Sequence, residues 1–131
     1  LFNLDDLGVE WVPAEKTKRV NNHLIVTHGA TDDGCKMSPH SAYSAKANLE
    51  KWGLSGISGH THRLGSHYKM LAEEMMAWYE IGCLTKLNPG YVKNPNWQQG
   101  FATVYHSKNR FHVVLTAITN HQFIAGGRRY G

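Results

Sequence analysis

Apolar positions gather into two short runs, Leu24-Ile25-Val26 and residues 54–57, and each run leads into a histidine beside a glycine: His28-Gly29 and Gly59-His60. Runs of this length bounded by glycine predict buried strands of a parallel sheet. Between them Gly34 and Pro39 mark residues 30–40 as a loop. Ser41 is then placed to cap a helix, and Ala42, Ala45, Leu49 and Trp52 recur at helical spacing until Gly53 stops it. Strand, helix and strand in this order predict a right-handed crossover that puts both strands in one sheet, pointing the same way. Their carboxyl ends share a rim, which is where open α/β sheets bind ligands. His28, His60 and His62 should therefore converge.

Upstream, Val9 to Val12 reads as a strand closed by Pro13, after a possible turn of helix, and the polar residues 16–22 read as a hairpin or loop. Downstream the pattern changes to strands separated by turns, over 66–71, 77–83, 101–106, 111–118 and 122–124. Polar turns such as Ser107-Lys108-Asn109 predict antiparallel hairpins. Glu73-Glu74-Met75-Met76 is read as a hairpin tip. Residues 88–99 form a long loop rich in amides and aromatics, of a length more often functional than not. The expected class is α/β, with one βαβ unit followed by antiparallel strands, in a single domain spanning 1–131.

Composition narrows this picture only modestly. At 131 residues there is material for one core and not for two. No apolar run approaches the roughly 20 residues that cross a bilayer, and the first residues carry no signal-peptide pattern, so the expectation is a cytoplasmic protein without membrane contact. Cys35 and Cys83 form no CxxC pair and are expected as thiols. The net charge of +4 suits an anionic partner, phosphate or nucleic acid, without being a concentrated basic tract. Arg128-Arg129 reads as a solvated tail.

The chemistry lies with the three rim histidines. Imidazole is a borderline ligand suited to Zn, Mn or Fe, and the flanking glycines let the backbone turn tightly enough for the rings to face inward. The six other histidines read as ordinary core or surface residues. The site residues resemble those of the calcineurin-like metallophosphoesterases: Gly59-His60-Thr61-His62 matches that family's GHTH motif, and Val26-Thr27-His28-Gly29 its preceding metal-histidine motif. Residues 78–84 and 94–101 look like the phage and prophage-type members. The resemblance covers nearly the whole chain but only the carboxyl-terminal half of the family domain.

The resemblance implies a β-sandwich with flanking helices and a two-metal centre that bridges a phosphate. In it His28 and His60 would ligate one metal and His62 the other, and a bridging hydroxide would attack phosphorus. Arg63 would meet phosphate or be a surface arginine; His40 would approach the substrate or be a loop histidine. The substrate would be a phosphodiester, including nucleic acid, or a phosphomonoester. The family's amino-terminal motifs, DxH, GDxxD and GNH with a following acid, do not occur: the aspartates are Asp5, Asp6, Asp32 and Asp33, in none of those patterns. The chain is therefore expected to be an incomplete enzyme, a fragment or one half whose partner is another chain. The alternative is a non-catalytic module that keeps at most one His-rich metal site. Half a sandwich exposes strand edges and apolar surface, so a homo-oligomer is also expected.

Overall fold

The computed structural model describes residues 4–31 and 34–131. Two of the aspartates, Asp32 and Asp33, thus lie outside the described residues. The central element is the pair β2 (Leu24–Thr27) and β3 (Ser55–Ser58), joined by α1 (Tyr43–Trp52). They pair in parallel, Leu24 opposite Ser55 through Thr27 opposite Ser58, as the crossover rule requires. β1 (Thr17–Val20) adds antiparallel to β2. On the far side β4 (Leu64–Leu71) turns back into β5 (Glu74–Ile81), which inserts between β3 and β4, giving the order β1-β2-β3-β5-β4. The remaining strands are two hairpins, β6 (Gly100–His106) with β7 (Phe111–Ala117), and β8 (Phe123–Ala125) with β9 (Arg128–Tyr130).

Alternation along the strands builds two cores. Leu24, Ile57, Ala77 and Tyr79 point to one face and meet Val113 of the β6–β7 hairpin. Ile25 and Trp78, one residue out of phase, point to the other and meet Ala45 and Leu49 of α1 with Cys35. Complete burial of Leu24, Ile25 and Leu49 stabilises the fold by about 2 kcal/mol each. Gly56 makes the second core possible, because a Cβ there would sit 2.4 Å from the Trp78 ring. The layers are helix, five-stranded sheet and hairpin. The α/β class, the βαβ unit and the flanking helix match the sequence expectation.

Several boundaries differ, each for a physical reason. Residues 9–12 are not a strand: Val9 and Trp11 are exposed, and the antiparallel partner of β2 is instead Thr17–Val20. For residues 16–22 the hairpin alternative holds: Thr17–Val20 turns back antiparallel onto β2 as an edge strand, polar on every residue but Val20. Ser41 does not cap α1. The cap position is Ala42, at φ 65° and with no side-chain hydrogen bond. The hairpin turn is Ala72-Glu73, so Glu74, Met75 and Met76 belong to β5. β5 runs parallel to β3, which hydrophobic pattern alone does not distinguish from a second hairpin. Arg128 and Arg129 are solvent-exposed, as expected, but pair in β9 with β8. No disulfide joins Cys35 and Cys83, and no helix among the described residues is long and apolar enough to cross a membrane.

Candidate metal centre

The rim forms where β2 and β3 end together. Beyond their last pair, Thr27 and Ser58, the Gly59 N–H donates to the His28 carbonyl over 3.0 Å and carries the ladder one step further. Gly29 lies at φ 100°, and a Cβ there would stand 2.8 Å from the Ser58 Cβ, so only glycine lets the chains stay this close. The consequence is that His28 and His60 meet. Their rings are 4.8 Å apart at 80°, and His60 Nδ1 lies 2.8 Å from His28 Nε2. One nitrogen donates and the other accepts, according to tautomer.

The turn after β3 is held in a costly shape. The Thr61 N–H reaches back to the Gly59 carbonyl at 2.6 Å, closing a three-residue turn with His60 at its centre, and His60 and His62 both have φ 55°. Left-handed backbone at two non-glycine residues persists only where the surroundings over-determine it, and such strain collects at functional sites. Here the restraint is Glu80, on β5 and wholly buried. Its Oε1 accepts the Thr61 hydroxyl at 2.8 Å and its Oε2 the Ala45 N–H at 3.1 Å. One carboxylate thus pins the histidine turn and satisfies an open N–H in the first turn of α1, the task that the sequence assigns to Ser41. Glu80 was not singled out from sequence; a glutamate inside the otherwise apolar run 77–81 is the signal that could have found it.

His62 sits deeper than its two neighbours. Its ring packs edge-on to Trp97 at 4.4 Å, its carbonyl accepts the Gln98 N–H at 2.9 Å, and its Nδ1 is buried with no hydrogen-bond partner. Burial, then the nearby His60, His28 and Arg63, lower its pKa below the ordinary 6.5. A neutral imidazole with an unclaimed buried nitrogen is the form in which histidine binds metal. The loop 88–99 reaches the rim here and is itself anchored. Gln98 Oε1 accepts from the Leu64 N–H and the Ser41 hydroxyl, at 3.0 and 3.2 Å, and its Nε2 donates to Asn96.

Arg63 donates from Nη1 to the carbonyls of Ser38 and Thr61, both at 3.2 Å, so part of its guanidinium ties the 35–40 loop to the turn. Its Nε is buried without a partner. His40 is exposed on that loop, 5.5 Å from the Tyr43 ring, and no described hydrogen bond or ring contact joins it to the three rim histidines. The structure therefore brings together His28 and His60, places His62 within electrostatic reach, sets Arg63 beside them, and leaves His40 to one side. Among the described residues no three His, Cys, Asp or Glu side chains stand close enough to enclose a metal ion as they are. Two imidazole nitrogens on one tetrahedral zinc would lie roughly 3.4 Å apart, so the His28–His60 pair would open by about half an ångström. The residue types fit a divalent metal.

No protein-family model matches the chain. It is 30% identical over 135 residues to the Gene 54 protein of Mycobacterium phage L5, a match covering 98% of this chain and 52% of that protein. A similar match, 30% over 140 residues, is to the Gene 54 protein of Mycobacterium phage D29, of which 51% is covered. The chain thus spans about half the length of the curated relatives it matches. Among solved structures it overlaps a double mutant of Vps29 from Entamoeba histolytica at a TM-score of 0.48 and 14% identity, covering 88% of this chain and 58% of that one. A single mutant of the same protein overlaps at 0.47 and 15%.

Proposed function

We propose that this chain carries the histidine part of a divalent-metal phosphoesterase centre, with His28 and His60 holding one ion of the Mn, Zn or Fe type and His62 a second. The observation that supports it is the 2.8 Å approach of two imidazoles beside a third whose buried nitrogen has no partner, all on the carboxyl rim of a parallel sheet. A bound divalent ion supplies a hydroxide at neutral pH and offsets charge on the phosphate oxygens. The chain's own residues do the rest. Glu80 and Thr61 fix the turn that aims His60 and His62. Trp97 shields one side of His62 from water, and Arg63 adds a fixed positive charge next to the place where phosphate would lie. The carboxylates that such a centre uses would come from another chain or another copy.

The test is hydrolysis of a generic aryl phosphodiester with Mn²⁺, set beside His60→Asn, since asparagine tolerates the left-handed backbone at this position. Metal-dependent turnover that falls by about 100-fold in the variant is the expected result; the rate loss follows from removing a metal ligand. Turnover equal in both proteins would refute the assignment. A second reading is a non-catalytic module with one metal at the three histidines; it is favoured by the Glu80 carboxylate, whose two oxygens are taken by the Thr61 hydroxyl and the Ala45 N–H. It predicts stoichiometric metal binding with no hydrolysis.

A further inference from the structure

The 88–99 loop carries a feature that metal chemistry does not use. Tyr91 is 78% exposed, yet its ring is not isolated: it stands 6.3 Å from Trp97, edge to face, and Trp97 in turn touches His62. A large aromatic kept in water beside a second aromatic gains little for folding. The loop is nevertheless firmly sited at its carboxyl end. Cys83 N–H donates to the Gln98 carbonyl at 3.1 Å, Gln99 Nε2 donates to the Thr85 carbonyl at 2.9 Å, and Gln98 makes the anchors already described. Lys93, two residues along the chain, and Lys86, five residues before, are exposed, and exposed Asn94 offers both a donor and an acceptor. Aromatic faces interleaved with lysines and amides are the make-up of surfaces that stack nucleobases and track a phosphate backbone.

We infer that Tyr91, supported by Trp97, is a stacking platform for a base of single-stranded nucleic acid whose neighbouring phosphate lies at the histidine rim. This deepens the phosphoesterase reading by naming its substrate class, and it rests on that reading for the orientation of the strand, not for the stacking. Apart from Tyr91, the platform is held by half-buried residues, Trp97 and Gln98, so it is largely formed before the ligand arrives. The net positive charge of the chain acts in the same direction.

Fluorescence anisotropy of a labelled twelve-residue oligothymidylate against an abasic phosphodiester of equal length and charge, in chelator so that nothing is cleaved, isolates the base from the backbone. The base-bearing strand should bind about tenfold more tightly, within the roughly five- to hundredfold range of one aromatic platform. Tyr91→Ala should abolish most of that ratio and Tyr91→Phe should keep it. Equal affinity for both strands, or a ratio unchanged in Tyr91→Ala, would overturn the platform. Equally effective displacement by thymidine monophosphate, compared at the same nucleotide concentration, would overturn the strand in favour of a mononucleotide. Base-dependent binding without Mn²⁺-dependent hydrolysis would leave the platform standing and remove the phosphoesterase reading; hydrolysis with no base dependence would do the reverse.

Discussion

At the carboxyl ends of β2 and β3 the backbone is bent into left-handed turns at His60 and His62, one imidazole nitrogen is buried without a partner, and a fully buried glutamate holds the arrangement. At the amino ends of β3 and β5 the same sheet opens on a cavity of about 540 Å³, lined by Ser55, Ala77 and Tyr79 from the sheet and by Arg110 and Val113 from the hairpin. That end has the volume, and the rim has the strain and the ligating chemistry. The contrast teaches that empty space and reactive geometry are separate properties. A gap between two packed layers arises wherever the hairpin stops short of the sheet, whereas left-handed histidines persist only under a restraint such as the Thr61–Glu80 bond.

Substitutions at the two ends should separate these properties. The largest effect belongs to His28→Ala, which should lower metal-dependent hydrolysis by about 100-fold while the thermal midpoint measured in chelator moves little, because His28 is exposed. Glu80→Ala should cost about 3 kcal/mol in chemical denaturation, since it strands the Thr61 hydroxyl and the Ala45 N–H in the interior and leaves a gap. Glu80→Gln, which keeps one acceptor, should recover part of that. Gly56→Ala should cost about 2 kcal/mol by pushing a methyl into Trp78. At the cavity end, Arg110→Ala should change stability by under about 0.5 kcal/mol, because the residue is exposed and its backbone carbonyl, not its side chain, accepts the Asn21 amide. It should also leave hydrolysis unchanged.

A pH titration sharpens the same comparison. The folded state holds His62 below its ordinary pKa of 6.5, so on acidification the unfolded chain takes up the proton first. The His62 contribution to stability is therefore intact above about pH 6.5 and is lost as the pH falls through that value toward the lower folded one. Denaturation midpoints of the metal-free protein should show this loss, and His62→Asn should flatten it. A curve with the same slope in both proteins would assign the acid sensitivity to other groups.

How much of this was legible beforehand depended on whether the residues speak for themselves. The β2–α1–β3 unit was, since Leu24-Ile25-Val26, the Ala45-Leu49 spacing and Gly53 each have a local physical meaning, and the αL cap at Gly53 forms as expected, its N–H bonded to the Leu49 carbonyl. The meeting of His28 with His60 followed from the crossover rule. Other features depend on partners distant in sequence. Thr17–Val20 is a strand only because β2 offers it an edge, and Trp11 is left outside because none is offered. The capping of α1 by Glu80, 35 residues away from Ala45, has no local signature. The parallel placement of β5 beside β3 likewise depends on Gly56 making room for Trp78.

The claim that carries the rest is that His28, His60 and His62 form one metal centre. Calorimetric titration of Zn²⁺ into the chain at pH 7.5, beside His60→Asn, tests it without reference to any substrate. The chain has nine histidines, so weak surface binding is expected in both proteins. A tight component of at least one ion per chain that disappears in His60→Asn is the predicted result. A tight component that survives the substitution, or none in the unaltered chain, would contradict the account.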